Sequence, residues 1–111
     1  MIVRRWHGWT PPDSAAAYAE HVSNKVFPGM AGIDGFRGGL IARHDDANEV
    51  EFIVETIWES RDAIRSFAGD AIDTAVIEPA ARKLLSRYDQ HVRHYDLMDS
   101  VGDCKCCEVK R

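Results

Sequence analysis

The stretch Glu49–Gly69, EVEFIVETIWESRDAIRSFAG, decides the fold of this chain. From Val50 to Trp58, β-branched and aromatic residues alternate with glutamates, which predicts a strand. Both faces of that strand carry apolar groups, so we expect it to be covered on two sides. Ser60 then stands where a helix N-cap is expected, and apolar residues recur at helical spacing up to Gly69. The stretch therefore predicts a strand followed by a short helix.

The residues before this stretch predict a strand, a helix and a second strand. Ile2–Thr10 has the alternation of a strand. The segment TPPD that starts at Thr10 is a typical helix start, and apolar spacing continues the helix to the sequence Phe27-Pro28-Gly29, which should end it. The glycines from 29 to 39 predict a turn, and Phe36–His44 predicts a strand that forms a hairpin with the opening stretch.

The residues after the stretch complete the topology. Ala71–Ile77 predicts a short helical piece, Pro79 begins a helix that runs to Leu85, and Asp89–Leu97 predicts the closing strand. The order β-α-β-β-α-β is the ferredoxin-like α+β arrangement. Helices cover one face of such a sheet, and here the other face also carries apolar side chains. We therefore expect a second copy of the chain to cover it, which gives a homodimer.

Composition limits the function classes. The chain has 111 residues, 45% of them hydrophobic, and a formal charge of −4. We expect one domain at residues 1–98, followed by a flexible tail at 99–111. The acidic balance argues against nucleic acid as a partner. No apolar run reaches the roughly 18 residues of a membrane span, and the N-terminus lacks the pattern of a signal peptide, so a cytoplasmic protein is expected.

Several short motifs lie on these elements: RWHG from Arg5, IWES from Ile57, AIRSFAG from Ala63, a proline at position 79 and HYDL from His94. Together they resemble the antibiotic biosynthesis monooxygenase superfamily, over about residues 2–97. The resemblance implies a dimeric α+β barrel. It also implies one of several activities, since that superfamily includes cofactor-less quinol- or polyketide-oxidising monooxygenases, haem-degrading enzymes and proteins of unknown activity.

The haem-degrading branch makes a sharper demand on the sequence. The resemblance implies an Asn on the first strand, a Trp on the helix after the third strand, and a haem-ligating His further along. This chain has Trp6 and His7 on the first strand, Phe67 at the Trp position and Ile77 near the ligand position. An apolar side chain has no lone pair for iron, so haem is disfavoured and no cofactor is expected.

Catalysis must then come from polar groups that point between sheet and helices. We predict Arg5, His7 and His94 as catalytic residues, and as substrate-binding residues Trp6, Arg37, Trp58 and Phe67. A cofactor-less oxygenase needs a base to ionise a phenol or enol, because the substrate carbanion itself reduces oxygen, and an arginine suits the anion. The competing interpretation is that strand histidines and arginines are surface groups or ion-pair partners.

The tail carries all three cysteines of the chain, Cys104, Cys106 and Cys107. Their odd number argues against a disulfide framework, and their spacing is not that of a structural zinc site. Three exposed thiolates suit a soft ion such as mercury, arsenic or copper. Two functions therefore stay open: a cofactor-independent monooxygenase or isomerase acting on a small aromatic or polyketide-like molecule, and a non-catalytic binding or metal-handling protein whose tail cysteines hold the ion.

Overall fold

The central hairpin has the architecture that its sequence pattern predicts. In a computed structural model, which describes residues 1–102, β3 spans Val50–Trp58 and pairs antiparallel with β1 (Ile2–Thr10) on one side and β2 (Phe36–Asp45) on the other. Phe52 and Trp58 are buried on one face of β3, whereas Ile53 lies on the other. The predicted Cys104, Cys106 and Cys107 lie outside the described residues.

The remaining elements complete the predicted β-α-β-β-α-β order. The helices are α1 (Ala15–His21), α2 (Phe27–Ala31), α3 (Arg61–Ala68) and α4 (Pro79–Leu84), and the last strands are β4 (Arg87–Tyr88) and β5 (Arg93–Asp96). The sheet order is β2-β3-β1, and both β4 and β5 pair with the free edge of β1. This is the α+β ferredoxin-like fold expected from the sequence.

The helix after β3 begins and ends where its sequence indicates. The Ser60 hydroxyl accepts a hydrogen bond from the Ala63 backbone N–H at 3.1 Å, which caps the first turn of α3. Gly69 follows with φ of 80°, a left-handed conformation that glycine adopts without steric cost. Ile64, on the inner side of α3, is fully buried against Trp58 and Met30.

The first helix does not end at Phe27-Pro28-Gly29, so that prediction is wrong. A π-turn at Val22–Val26 joins α1 to α2, and the Phe27 N–H donates to the carbonyl of Val22. Proline lacks an N–H and clashes with the carbonyl four residues earlier in a regular helix. The wider turn shifts the hydrogen-bond pattern just before Pro28, and the helix therefore continues to Ala31.

Two further boundaries differ from the prediction. Residues 71–77 form a turn and an extended segment, in which Thr74 makes an isolated bridge with His91, instead of a helix. The closing strand is interrupted at residues 89–92, between β4 and β5. The bridge accounts for both differences, because it joins the backbone around His91 to the 71–77 segment, whereas the Asp89 N–H still donates to the His7 carbonyl of β1 at 3.0 Å. The Ala75 N–H to Gln90 carbonyl bond (2.9 Å) and the Val92 N–H to Asp73 carbonyl bond (2.8 Å) hold them together.

The sheet has one covered face and one open face. Side chains of Ile2, Trp6, Phe52 and Trp58 pack against the helices in two adjoining clusters. The open face, as we name it below, carries the alternate residues Val3, Arg5, His7, Leu40, Ile53, Glu55, Ile57 and Tyr95. In residues 1–102, no helix is long and apolar enough to cross a membrane.

Candidate functional site

A cavity of about 280 Å³ lies between the covered face of the sheet and the helices. Its floor comes from β1 and β3, one wall from the helical segment around the π-turn, and another from residues 75–78. Pockets for drug-sized ligands span roughly 300–1,000 Å³. This cavity is therefore suited to a molecule of one or two rings. The cavity wall that contains the π-turn is consistent with a functional site, because π-turns within helices occur often at functional sites.

Aromatic side chains form much of the cavity wall. Trp6 lies 6.4 Å from Tyr18 between ring centroids, and both rings line the cavity together with Phe67. The Trp6 indole N–H donates to the Asp89 carbonyl at 2.7 Å, which fixes the ring. Burial raises the pKa of Tyr18 well above its usual value, so its phenol stays protonated. Flat apolar walls of this kind favour an aromatic ligand.

Arg4 supplies a buried cation at the cavity wall. Its side chain leaves β1 on the covered face, and the residue is 5% exposed. The guanidinium donates to the carbonyls of Ile72 (2.5 Å) and Thr74 (3.1 Å), and its carbon lies 5.7 Å from the centre of the Phe67 ring. Burial lowers the pKa of Arg4 to about 10, against the opposing charge of Asp73. Arg4 therefore remains charged at neutral pH.

His94 connects Arg4 to Asp73. Its Nε2 lies 3.0 Å from Arg4 Nη1, and its Nδ1 lies 3.1 Å from the Asp73 carboxylate. Because an arginine can only donate, Nε2 must accept and Nδ1–H donates to Asp73. Burial, and then the positive charge of Arg4, lower the pKa of His94 below its usual 6.5, while Asp73 raises it less. The ring is therefore neutral at neutral pH and orients the guanidinium.

This arrangement predicts a pH-dependent stability. The unfolded chain protonates His94 near pH 6.5 and the folded chain only at lower pH, so stability present above pH 6.5 is lost as the pH falls. We expect the free energy of unfolding of the parent to fall more steeply than that of His94→Gln between about pH 6.5 and about pH 5. Urea unfolding across this range measures both slopes, and parallel curves would contradict the assignment.

His21 brings a second polar group to the cavity. Its imidazole is 12% exposed and lines the cavity on α1 next to Glu78. The Glu78 carboxylate lies 3.0 Å from His21 Nε2, but outside hydrogen-bond geometry. Nε2 is thus buried without a hydrogen-bond partner within residues 1–102. A buried imidazole nitrogen beside a carboxylate is suited to proton transfer with a ligand.

The structure brings together some of the predicted site residues and separates others. Trp6 and Phe67 line the cavity, and His94 adjoins it through Arg4. Trp58 is fully buried behind Phe67, with ring centroids 5.8 Å apart, so its predicted place in the cavity wall is wrong. Arg37 is ion-paired with Glu59 at the start of β2 and does not line the cavity, another correction.

Arg5 and His7 lie on the open face, so their predicted position between sheet and helices is wrong. Side chains alternate along a strand, and Ile2, Trp6 and Thr10 pack on the helix side of β1. Arg5 pairs with Glu55 at 3.4 Å, and His7 Nδ1 lies 3.5 Å from Asp89. Arg4 and His21 are functional-site residues that were not predicted from the sequence. Arg4 shares its strand parity with Trp6, and His21 shares a helix face with Tyr18; both signals were readable in the sequence.

The lining of the cavity and the polar side chains of residues 1–102 bear on the haem and metal predictions. Ile77, which the family resemblance placed near a haem ligand, lines the cavity and offers no lone pair to iron. Within residues 1–102, no three His, Cys, Asp or Glu side chains converge as metal ligands. The soft-metal site at Cys104, Cys106 and Cys107 stays a prediction.

Twenty-six chains of solved structures match this fold. The sequence itself matches no protein-family model and no curated protein. A candidate antibiotic biosynthesis monooxygenase from Deinococcus radiodurans matches with a TM-score of 0.63 and 12% identity, covering 94% of this chain and 99% of that one.

Two other matches come from proteins of stated activity. The cofactor-independent oxygenase SnoaB of Streptomyces nogalater gives a TM-score of 0.59 at 17% identity, over 92% of this chain and 98% of that one. The haem degrader MhuD of Mycobacterium tuberculosis, solved with two haems bound, gives 0.58 at 20% identity, over 92% and 100%. This chain therefore has the fold of the antibiotic biosynthesis monooxygenase structures, as the sequence resemblance implies.

Proposed function

We propose that the protein is a cofactor-independent monooxygenase that acts on a small aromatic or polyketide-like molecule held in the cavity. The observation that carries this proposal is that one aromatic-walled cavity is lined by both a buried guanidinium, Arg4, and a buried imidazole, His21, whose Nε2 lies 3.0 Å from Glu78 and makes no hydrogen bond within residues 1–102. An acid–base group and an anion-stabilising group are the two components that oxygenation without a cofactor requires.

The proposed reaction uses these groups in sequence. His21 takes a proton from the phenol or enol, and Arg4 stabilises the resulting anion. The carbanion form of the substrate supplies both electrons that reduce O₂, and a bond forms between ring carbon and oxygen. The peroxide anion takes the proton back from His21 to form a hydroperoxide, which loses water and leaves a carbonyl. One O₂ is consumed and one water released for each quinone formed.

The site residues that were predicted from the sequence have different roles in this reaction. His94, predicted as catalytic, positions Arg4, because its Nε2 is occupied by the guanidinium. Trp6 and Phe67 bind the ring system. Arg5, His7 and Arg37 have no part in this cavity. The likeness in fold to a cofactor-independent oxygenase supports the proposal, and the same base would also serve an isomerase that moves a proton without oxygen.

Oxygen uptake tests the proposal. We expect purified protein, without added cofactor, to consume O₂ with 1-naphthol or anthrone and to form the corresponding quinone. His21→Gln should lower kcat by about 100-fold, since general-base catalysis contributes roughly 10²–10⁴-fold. His44→Gln is the matched control, because His44 lies near the end of β2, does not line the cavity and has a side chain that is 70% exposed. No uptake above the protein-free rate would refute the proposal, and conversion of a probe to its tautomer without uptake would indicate an isomerase.

We also propose that two copies pair through the open face. The open face carries apolar side chains on three strands, Val3, Leu40, Ile53 and Ile57, and the ion pair of Arg5 and Glu55 lies among them. Tyr95 on β5 remains 43% exposed in the single chain. An apolar sheet face of this extent is normally covered in a soluble protein, and a two-fold related copy would cover it with the same residues.

A further inference from the structure

The Arg4 guanidinium has an unusual charge environment. The three groups that accept its hydrogen bonds are the carbonyls of Ile72 and Thr74 and the neutral ring of His94. None of these acceptors carries a negative charge. Two of the five N–H groups of the guanidinium are left without an acceptor in the described part of the chain.

The Asp73 carboxylate acts on this charge, but from an exposed position and without a hydrogen bond to Arg4. Asp73 contacts His94 Nδ1 at 3.1 Å, and its side chain is 76% exposed. Solvent screens an exposed carboxylate, whereas the cation that it would neutralise is 5% exposed. A buried cation is stabilised when an anion reaches it directly. The cavity is the space from which a ligand anion can approach Arg4.

The surroundings of Arg4 indicate the rest of the ligand. Phe67 lies beneath the guanidinium at 5.7 Å, and Trp6 and Tyr18 continue the aromatic wall. The remaining wall is largely aliphatic, with Val22, Val54 and Ile77. A ligand that satisfies both regions carries its charge at one end and a flat apolar body at the other.

We infer that Arg4 is the anion-binding end of the cavity and that the ligand is an aromatic oxygen anion of one or two rings, a carboxylate or an ionised phenol. This deepens the proposed function, on which it rests in using the same cavity and the same contact of Arg4 with an anionic ligand. A guanidinium can hold the two oxygens of a carboxylate in a forked contact, or donate to the single oxygen of a phenolate. His94 and Asp73 act as positioning residues, since they fix the direction of the fork.

Calorimetric titration tests the inference with three probes at neutral pH. These are 2-naphthoate, the ionised 2,4-dinitro-1-naphtholate, and the neutral 2-naphthalenemethanol, which is close to naphthoate in shape. We expect at least one anion to bind the parent roughly 10- to 100-fold more tightly than the alcohol, the range of a charge-assisted hydrogen bond. Whichever anion binds more tightly identifies the source of the charge. Equal binding of the alcohol and both anions would overturn the inference.

The Arg4→Met variant separates charge recognition from a structural role. We expect it to lose the preference for the anion over the alcohol, and Arg4→Lys to keep part of that preference. The affinities are compared within each variant, because Arg4→Met also removes the hydrogen bonds to Ile72 and Thr74. Arg65→Met is the matched control, because Arg65 is exposed on α3 beside Asp62. A folded Arg4→Met protein that keeps the full preference would overturn the inference. If Arg4→Met does not fold, the parent titration and Arg4→Lys still decide.

The titrations and the oxygen-uptake measurement test the anion site and the oxygenase separately. Arg4-dependent binding of an anion without oxygen uptake would support the anion site and refute the oxygenase. Oxygen uptake on phenolic probes with no preference for anions, in the parent or in Arg4→Lys, would support the oxygenase and refute the anion site. Neither result depends on the other, because equilibrium binding requires no turnover.

Discussion

Replacing Trp58 by alanine is expected to lower the free energy of unfolding by about 3–5 kcal/mol, the usual cost of removing a large aromatic core side chain. Trp58 is fully buried at the end of β3, where its ring meets Phe36 edge-on at 5.2 Å and stacks on Phe67 at 5.8 Å. Its indole N–H donates to the Thr56 hydroxyl at 2.8 Å. The substitution leaves a void and removes the partner of a buried hydroxyl, and the two losses act in the same direction.

A second tryptophan provides the control for Trp58. Trp9 is half-buried on the open face, with the Arg87 guanidinium 3.9 Å from its ring centre. Trp9→Ala removes the same atoms from a side chain that is only half-buried within the chain and lies near the end of β1, so we expect a clearly smaller loss. Denaturant unfolding of both variants, each followed by circular dichroism, gives the comparison. Equal losses at the two positions would show that the core is not centred on Trp58.

Local patterns are sufficient for the central part of this fold. β1 and β3 begin and end at the predicted residues. Successive side chains of a strand point to opposite faces, so the alternation of apolar and polar residues marks the whole length of the strand. The start of α3 depends on the single contact between Ser60 and Ala63, which is also local in sequence. Where the signal and the interaction lie within a few residues of each other, the sequence carries enough information to predict the element.

The wrong boundaries have non-local causes. Residues 71–77 are extended because Arg4, almost seventy positions away, takes the carbonyls of Ile72 and Thr74, and because Thr74 pairs with His91. No pattern within the segment itself reveals these partners. The continuation of the helix past Pro28 is a different case, since it requires a π-turn that relieves the clash, and helix propensity alone gives no sign of one.

The sequence predicts the site on the correct strand but on the wrong side of it. Arg5 and His7 have suitable chemistry, whereas strand parity decides which side chains reach the cavity. The position of Trp6 among the helix-facing residues places Arg4 there as well, and places Arg5 and His7 opposite. His21 has the sequence context of a surface group on a helix. Its spacing from Tyr18 brings it to the same side, where packing buries it.

Ile53→Asp is expected to convert a dimer into a monomer. Ile53 lies at the centre of the open face, between His7 on β1 and Ala42 on β2. In a two-fold interface each copy of the variant would contribute its introduced carboxylate, and burying a carboxylate without a partner costs several kcal/mol. Light scattering should return twice the 12.5 kDa chain mass for the parent and a single chain mass for the variant.

Ala17→Asp is the control for Ile53→Asp, because it adds the same charge on the exposed side of α1, away from the open face. An acidic residue near the N-terminus of a helix is tolerated or mildly stabilising, so this variant should keep the parent mass. The Ile53 side chain does not reach the covered face, so the packing of the sheet against the helices does not depend on it. The Ile53→Asp protein should therefore keep its circular dichroism spectrum and also its affinity for the naphthoate probe, since the cavity lies on the other side of the sheet. A parent protein that is monomeric at micromolar concentration would refute the pairing, and a dimeric Ile53→Asp protein would place the interface elsewhere.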